Sequence, residues 1–128
     1  EATRARRSNA KVLDAGLCGV PGVVPPPVAD AVEHVYHQYT IRVRDDRDKA
    51  RRHLAARGVG SAVYYPTPIH RLRPYLEADG RPAREWDLPE TDRAAKEVLS
   101  LPVHPSLSQT DLAQVITAVN SLTKFTKD

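Results

Sequence analysis

Methionine is absent from all 128 residues, and the chain opens abruptly on Glu1-Ala2-Thr3-Arg4-Ala5-Arg6-Arg7, so Glu1 is not expected to be a natural N-terminus. Cysteine is almost absent as well. Cys18 stands alone, which excludes a disulfide within the chain and fits a reducing compartment. No apolar run approaches the ~20 residues that span a bilayer, and no signal peptide is legible. The expected location is therefore the cytoplasm, with no membrane partner. Aromatic side chains make up 5% of the sequence, and none interleaves the densest basic region, Arg42 to Arg57, which Asp45, Asp46 and Asp48 interrupt. Despite a net charge of +3 and a pI near 9.2, this region reads as a solvated helix face, and nucleic acid is not the expected partner.

The usual catalytic signatures are missing too. No serine sits in a Gly-x-Ser-x-Gly elbow, no glycine-rich loop cradles phosphate, and Cys18 lies in a Gly-rich connector. Five histidines, His34, His37, His53, His70 and His104, invite a metal, but their spacing argues against one. His34 and His37 point to opposite faces at the start of a strand, and no cysteine or carboxylate completes a tetrahedral set. Composition and spacing thus assign neither a metal nor a catalytic residue to this chain.

What is present is one domain's worth of sequence, 41% apolar and long enough to bury a core. Residues 3 to 15 have helical composition with a thin apolar stripe, Ala5, Asn9, Val12 and Leu13, closed by Gly16 and Gly19. Gly19 to Pro27 is too proline-rich for a central strand and should run as an extended connector. Tyr36 to Arg44 alternates cleanly, with His37, Tyr39, Ile41 and Val43 on the buried face. Asp45 to Asp48 open a helix that turns Ala50, Leu54 and Ala55 inward and stops at Gly58; Val59 to Tyr64 then reads as a second strand. A short turn around Leu72, Tyr75 and Leu76 follows, then a turn at Asp79-Gly80-Arg81-Pro82, and Trp86 packs its loop down. Pro89 to Val98 predicts a helix, Leu99 to Val103 an edge strand, and Ser108 with Asp111 a capping box. That last helix carries the stripe Leu112, Val115, Ile116, Val119 and Leu122.

One stretch concentrates functional chemistry: Tyr64-Tyr65-Pro66-Thr67-Pro68-Ile69-His70. Its two prolines restrict the backbone, so the loop loses little entropy on ordering. It carries two phenols, a hydroxyl and an imidazole, a set suited to a polyhydroxylated or phosphorylated ligand. The same residues would also serve as a strand-ending turn.

The ordered set Arg7-Ser8-Asn9-Ala10, EHVYHQYTIRV from Glu33 to Val43, RDKARRHLAARGVGSAVYYPTPIH from Arg47 to His70, and AAKEVLSLPVHPSLSQTDLAQVITAV from Ala94 to Val119 resembles the C-terminal domain of the DegT/DnrJ/StrS family of sugar aminotransferases. The resemblance covers nearly the whole chain. It implies an α/β fold of the two-layer α+β kind, the small C-terminal domain of a fold-type-I aminotransferase, with a short, mostly antiparallel sheet packed against helices. Residues 1–19 would end the interdomain helix and residues 20–128 form the small domain, the N-terminal cofactor domain being absent from this chain.

The parent protein is expected to be a pyridoxal-phosphate-dependent transferase that passes an amino group, commonly from glutamate, to a nucleotide-linked keto sugar or a keto-cyclitol, and to work as a homodimer. The family holds its cofactor on a lysine of the large domain. Lys11, Lys49, Lys96, Lys124 and Lys127 match no such position, so this chain alone should bind no cofactor and be inactive. Carried over by position, Tyr64, Tyr65 and His70 are the expected substrate contacts, and His37 and Tyr39 are core residues first and cleft-lining residues second. Two alternatives differ in kind: a free-standing sugar- or nucleotide-binding module using the Tyr64–His70 loop, and a basic interaction domain.

Overall fold

The chain begins as a helix because positions 9, 10, 13 and 17 share one side of a ~3.6-residue repeat: Asn9, Ala10, Leu13 and Leu17 are buried along α1 (Ala2–Leu17), while Arg4 and Lys11 stay exposed. The computed structural model describes residues 1–76 and 86–122. The expected end at Gly16 is displaced. α1 runs through that glycine to Leu17, and Gly19, at φ +79°, turns the chain away. Gly16 is a packing residue: a Cβ on it would lie 2.5 Å from Ile116 Cδ1.

The proline-rich connector contains an unexpected two-residue strand, β1 (Val23–Val24), antiparallel to β2 (Tyr39–Val43), with Val23 opposite Val43. It fits because an edge strand pairs on one side only, and Pro25 to Pro27 follow just beyond it. On the other side of β2 lies β3 (Val98–Leu101), also antiparallel, with Tyr39 opposite Leu101 and Ile41 opposite Leu99. The sheet order is β1-β2-β3. The small α/β domain with a short antiparallel sheet, expected from the sequence, is therefore present.

Alternation along β2 is as read for Tyr39, Ile41 and Val43, all buried, but its phase breaks upstream. Tyr36 is buried and His37 exposed, the reverse of the expected assignment. Tyr36 sits at φ +47°, a left-handed conformation that resets which side chains turn inward. Its N–H donates to His34 Nδ1 at 2.9 Å, and its ring lies 4.3 Å from that of His34 and 6.1 Å from that of Tyr39.

Asp46 caps α2 (Arg47–Ala55), accepting from the Lys49 N–H at 2.7 Å, and Gly58 at φ +73° ends it. Its inward face is Ala50, His53 and Leu54, so His53 takes the buried place expected for Ala55, which is exposed. Val59 to Tyr64 does not form a strand. Gly60 interrupts it and Pro66 follows closely, leaving one two-way bridge between Ala62 and Ser100. A 3₁₀ turn (Ile69–Arg71), α3 (Arg73–Leu76) and α4 (Pro89–Glu97) come next, the last with proline in its first turn. The turn expected at Asp79 to Pro82 lies outside the described residues. Trp86 leaves 44% of its surface exposed, more than a packing role predicts.

α5 (Gln109–Asn120) closes the core. Its capping box is complete, with the Asp111 N–H donating to Ser108 Oγ at 3.1 Å and the Ser108 N–H to Asp111 Oδ2 at 2.8 Å. Leu112, Val115 and Val119 join Leu13, Leu17 and Leu54 from α1 and α2 beneath Tyr39, Ile41 and Leu99 of the sheet.

His53 is locked in one neutral form. The Arg57 guanidinium can only donate, so the His53 Nδ1 at 3.0 Å accepts; Nε2–H then donates to Ser121 Oγ at 2.7 Å, whose own proton goes to the Ala118 carbonyl. Burial, then the Arg57 charge, pulls its pKa below 6.5. The unfolded chain protonates first as the pH drops, so stability should fall from pH 6.5 down to the lowered folded value and level off beneath it. The slope in that window is bounded by ~1.4 kcal/mol per pH unit. Urea midpoints measured across it should flatten in His53→Gln; an unchanged slope would remove His53 from the account.

Candidate functional site

A cleft of about 420 Å³ opens where α1, the approach to β2, the segment before the Tyr64–His70 loop and the end of β3 meet. Among its lining residues are Arg6, His37, Ser61, Tyr64, Ser100 and His104. The Ala62–Ser100 bridge ties two walls together, with N–H···O distances of 3.0 and 2.9 Å. Asn9 on α1 reaches across and donates Nδ2–H to the His104 carbonyl at 2.9 Å, holding the residue after β3 against the helix. Thr40 Oγ1 and Ser100 Oγ are paired at 2.8 Å, whereas Ser61 Oγ is buried without a hydrogen-bond partner among the described residues.

Of the five residues singled out from sequence, the structure brings His37 and Tyr64 to this cleft. Tyr64 is 56% exposed and Tyr65 76% exposed, so the loop presents its aromatic faces outward. Tyr65 does not line the cleft. Tyr39 is fully buried and donates its O–H to Asp14 Oδ1 at 2.6 Å, with burial, then that carboxylate, driving its pKa strongly upward. It is a core residue with no access to the cleft.

His70 is buried at the far end of the loop. Its Nε2 lies 3.3 Å from Asp92 Oδ1, close enough to pair electrostatically but without hydrogen-bond alignment. Arg71 forks the same carboxylate, Nη2 to Oδ2 at 2.8 Å and Nε to Oδ1 at 3.3 Å, and this hydrogen bonding holds Asp92 below the usual carboxylate range. The loop is thus moored to α4 at its His70 end, while Tyr64 and Tyr65 stand free of the core.

Sequence reading missed Arg6, Ser61 and His104 as members of one wall. Arg6 looked like a solvated helix charge, and His104 was weighed only as a metal ligand. The one available signal was that His104 directly follows a strand end. Among the described residues, no three His, Cys, Asp or Glu side chains gather in a metal-binding group. Lys11, Lys49 and Lys96 are exposed and none lines the cleft, so the described residues do not fit a cofactor held covalently on lysine. No helix among the described residues is long and apolar enough to cross a membrane.

The profile of the DegT/DnrJ/EryC1/StrS aminotransferase family matches residues 1–120. The chain is 39% identical over 104 residues to the dTDP-3-amino-3,4,6-trideoxy-alpha-D-glucose transaminase of Streptomyces venezuelae, covering 81% of this chain and 26% of that protein. It is 43% identical over 94 residues to the pleiotropic regulatory protein of Geobacillus stearothermophilus, covering 73% of this chain and 24% of that one. The crystal structure of S. venezuelae DesV superposes with a TM-score of 0.86 at 34% identity, over 96% of this chain and 32% of that chain. The chain therefore spans about a quarter of the length of these curated relatives and about a third of the solved one.

Proposed function

The chain belongs to the DegT/DnrJ/EryC1/StrS aminotransferase family, and from that premise we propose that it is the small C-terminal domain of a pyridoxal-phosphate-dependent sugar aminotransferase. The parent transfers an amino group, from glutamate, to a keto sugar carried on a nucleotide. The observation that carries this reading is the family match over residues 1–120, and the dTDP-linked product named for the Streptomyces relative supports the nucleotide. In this reading residues 1–19 end the interdomain helix, residues 20–128 form the small domain, and the parent is a cytoplasmic homodimer.

Pyridoxal phosphate supplies the electron sink for amino transfer when it is bound. The described lysines lie away from the cleft, so that chemistry belongs to the rest of the parent. The part of this chain is to bind, orient and cover the sugar. Tyr64 and Tyr65 offer phenol donors and flat apolar faces on a proline-braced loop, and hydrogen bonds from them to sugar oxygens fix geometry without moving a proton at the reacting carbon.

Two preparations test this. The longer encoded protein, loaded with pyridoxal phosphate, should release 2-oxoglutarate from glutamate and aminate a nucleotide-linked keto sugar. Residues 1–128 alone should do neither, and borohydride should trap no cofactor on any of their lysines. Trapping at one specific lysine would overturn the inactivity of this chain. A reading frame that starts immediately before Glu1 would sink the parent enzyme and favour a free-standing binding module.

A further inference from the structure

We infer that the cleft between Arg6 and His104 is a phosphoryl-binding site. The inference rests on the proposed function only for the source of the phosphoryl group, a nucleoside diphosphate rather than free phosphate.

The lining chemistry is one-sided. Arg6 and two imidazoles, His37 and His104, converge with the hydroxyls of Ser61 and Tyr64, and no carboxylate lines the cleft. Arg6 enters no ion pair among the described residues, unlike Arg7 next to it, which pairs with Glu33 at 3.2 Å. A guanidinium in a concave site without a counter-ion favours an anion, since low-dielectric walls strengthen its field. Each imidazole donates at least one N–H in either protonation state, so the donor set does not depend on titration.

Ser61 makes the site more than a charged dent. Its hydroxyl is buried and unpartnered, and it lies on the cleft wall. A buried hydroxyl without a partner is costly, and an acceptor oxygen in the cleft would satisfy it. Donors from four separate segments can meet a tetrahedral oxyanion from several sides, whereas a planar carboxylate is served by one guanidinium fork. A volume of about 420 Å³ exceeds a lone carboxylate and leaves room for a second phosphoryl group or an attached sugar. The frame is also held in place, by the Ala62–Ser100 bridge and by Asn9 on the His104 carbonyl.

The test is a titration of the isotope-labelled 128-residue chain with inorganic phosphate, thymidine diphosphate and glutamate at constant ionic strength, followed by amide resonances. Saturable shifts confined to Ser61, Ala62 and His104 are expected with both phosphates. Arg6→Gln should weaken them at least ~fivefold, the loss of one charge-assisted contact. Arg4→Gln, on the exposed side of the same helix, should change affinity by less than about twofold, the effect of net charge alone. Dispersion of the same spectra reports whether each variant is folded, and His104→Gln repeats the test from the opposite wall. Tighter binding of thymidine diphosphate than of phosphate assigns the source to a nucleotide; equal affinity keeps the site and assigns free phosphate. Shifts spread over all basic surfaces, equal losses in Arg4→Gln and Arg6→Gln, or preference for glutamate would overturn the inference. The readout is binding to this chain, so failure of the parent to aminate a nucleotide-linked sugar would count against the proposed function and leave the site standing.

Discussion

Replacing Gly16 by alanine should destabilise the chain by about 1 to 2 kcal/mol, although alanine is the better helix former by ~1 kcal/mol. Gly16 lies inside α1, where propensity alone predicts a gain. The opposing effect is steric: an added Cβ would stand 2.5, 2.7 and 2.8 Å from Ile116 Cδ1, Cγ1 and Cγ2. Two of those atoms are attached directly to the Ile116 Cβ, so no single rotamer change clears both. Asn120 also ties the helices together, donating Nδ2–H to the Gly16 carbonyl at 3.0 Å, which limits how far α1 and α5 can separate. Overpacking of this kind costs ~1–3 kcal/mol and outweighs propensity. Ile116→Ala removes all three clashing atoms. In that background Gly16→Ala should stabilise, by up to ~1 kcal/mol, so the sign of the substitution inverts. Urea denaturation of the four chains gives the coupling directly. If Gly16→Ala has the same sign in both backgrounds, the α1–α5 contact is not as close as described.

The same glycine shows what could be read from the sequence. Local rules foresaw the helix but placed its end at Gly16, because a glycine after an apolar stripe usually terminates one. That it is a packing residue depends on Ile116, a hundred positions away. By contrast the start of α5 was legible in full, since Ser108, Asp111 and Leu112 act on one another within a single turn. The centre of β2 was legible for a similar reason, its alternation being a property of consecutive residues. Its upstream phase was not, because a non-glycine residue at φ +47° arises from ring packing among His34, Tyr36 and Tyr39. β1 escaped notice because two residues carry no periodicity, and Val23–Val24 becomes a strand only by pairing with Val43 and Arg42.

The candidate site divides along the same line. The Tyr64–His70 loop announced itself through its prolines and clustered polar rings, all within seven consecutive residues. The cleft did not, since Arg6, His37, Ser61 and His104 are dispersed along the chain and meet only once the sheet and α1 are assembled. Sequence pattern likewise gave His70 the same role as Tyr65, while their environments differ: Tyr65 is 76% exposed and His70 is buried at 9%.

That difference predicts separate roles for the two ends of the loop. In the full-length protein, Tyr65→Phe removes a hydroxyl from an exposed ring and should act on the sugar half-reaction alone, as loss of one hydrogen bond. Asp92→Asn should act on that half-reaction as well, although Asp92 belongs to α4, because it removes the charge that Arg71 forks and that His70 approaches at 3.3 Å. Unmooring the loop misplaces Tyr64 and Tyr65 together, and a misplacement of about 1 Å at a binding loop costs ~10- to 100-fold in kcat/KM. Formation of 2-oxoglutarate from glutamate should change less than about threefold, since uniform loss would instead report a folding or closure defect. If His70 positions the loop through Asp92, then His70→Ala and Asp92→Asn should each give the large loss, and the double variant should be scarcely worse than either single one. If His70 contacts the sugar itself, His70→Ala alone should be damaging and Asp92→Asn close to wild type. The geometry favours the first outcome: the His70 ring is buried against the carboxylate, outside the cleft-lining set, and the exposed phenols are what it holds in place.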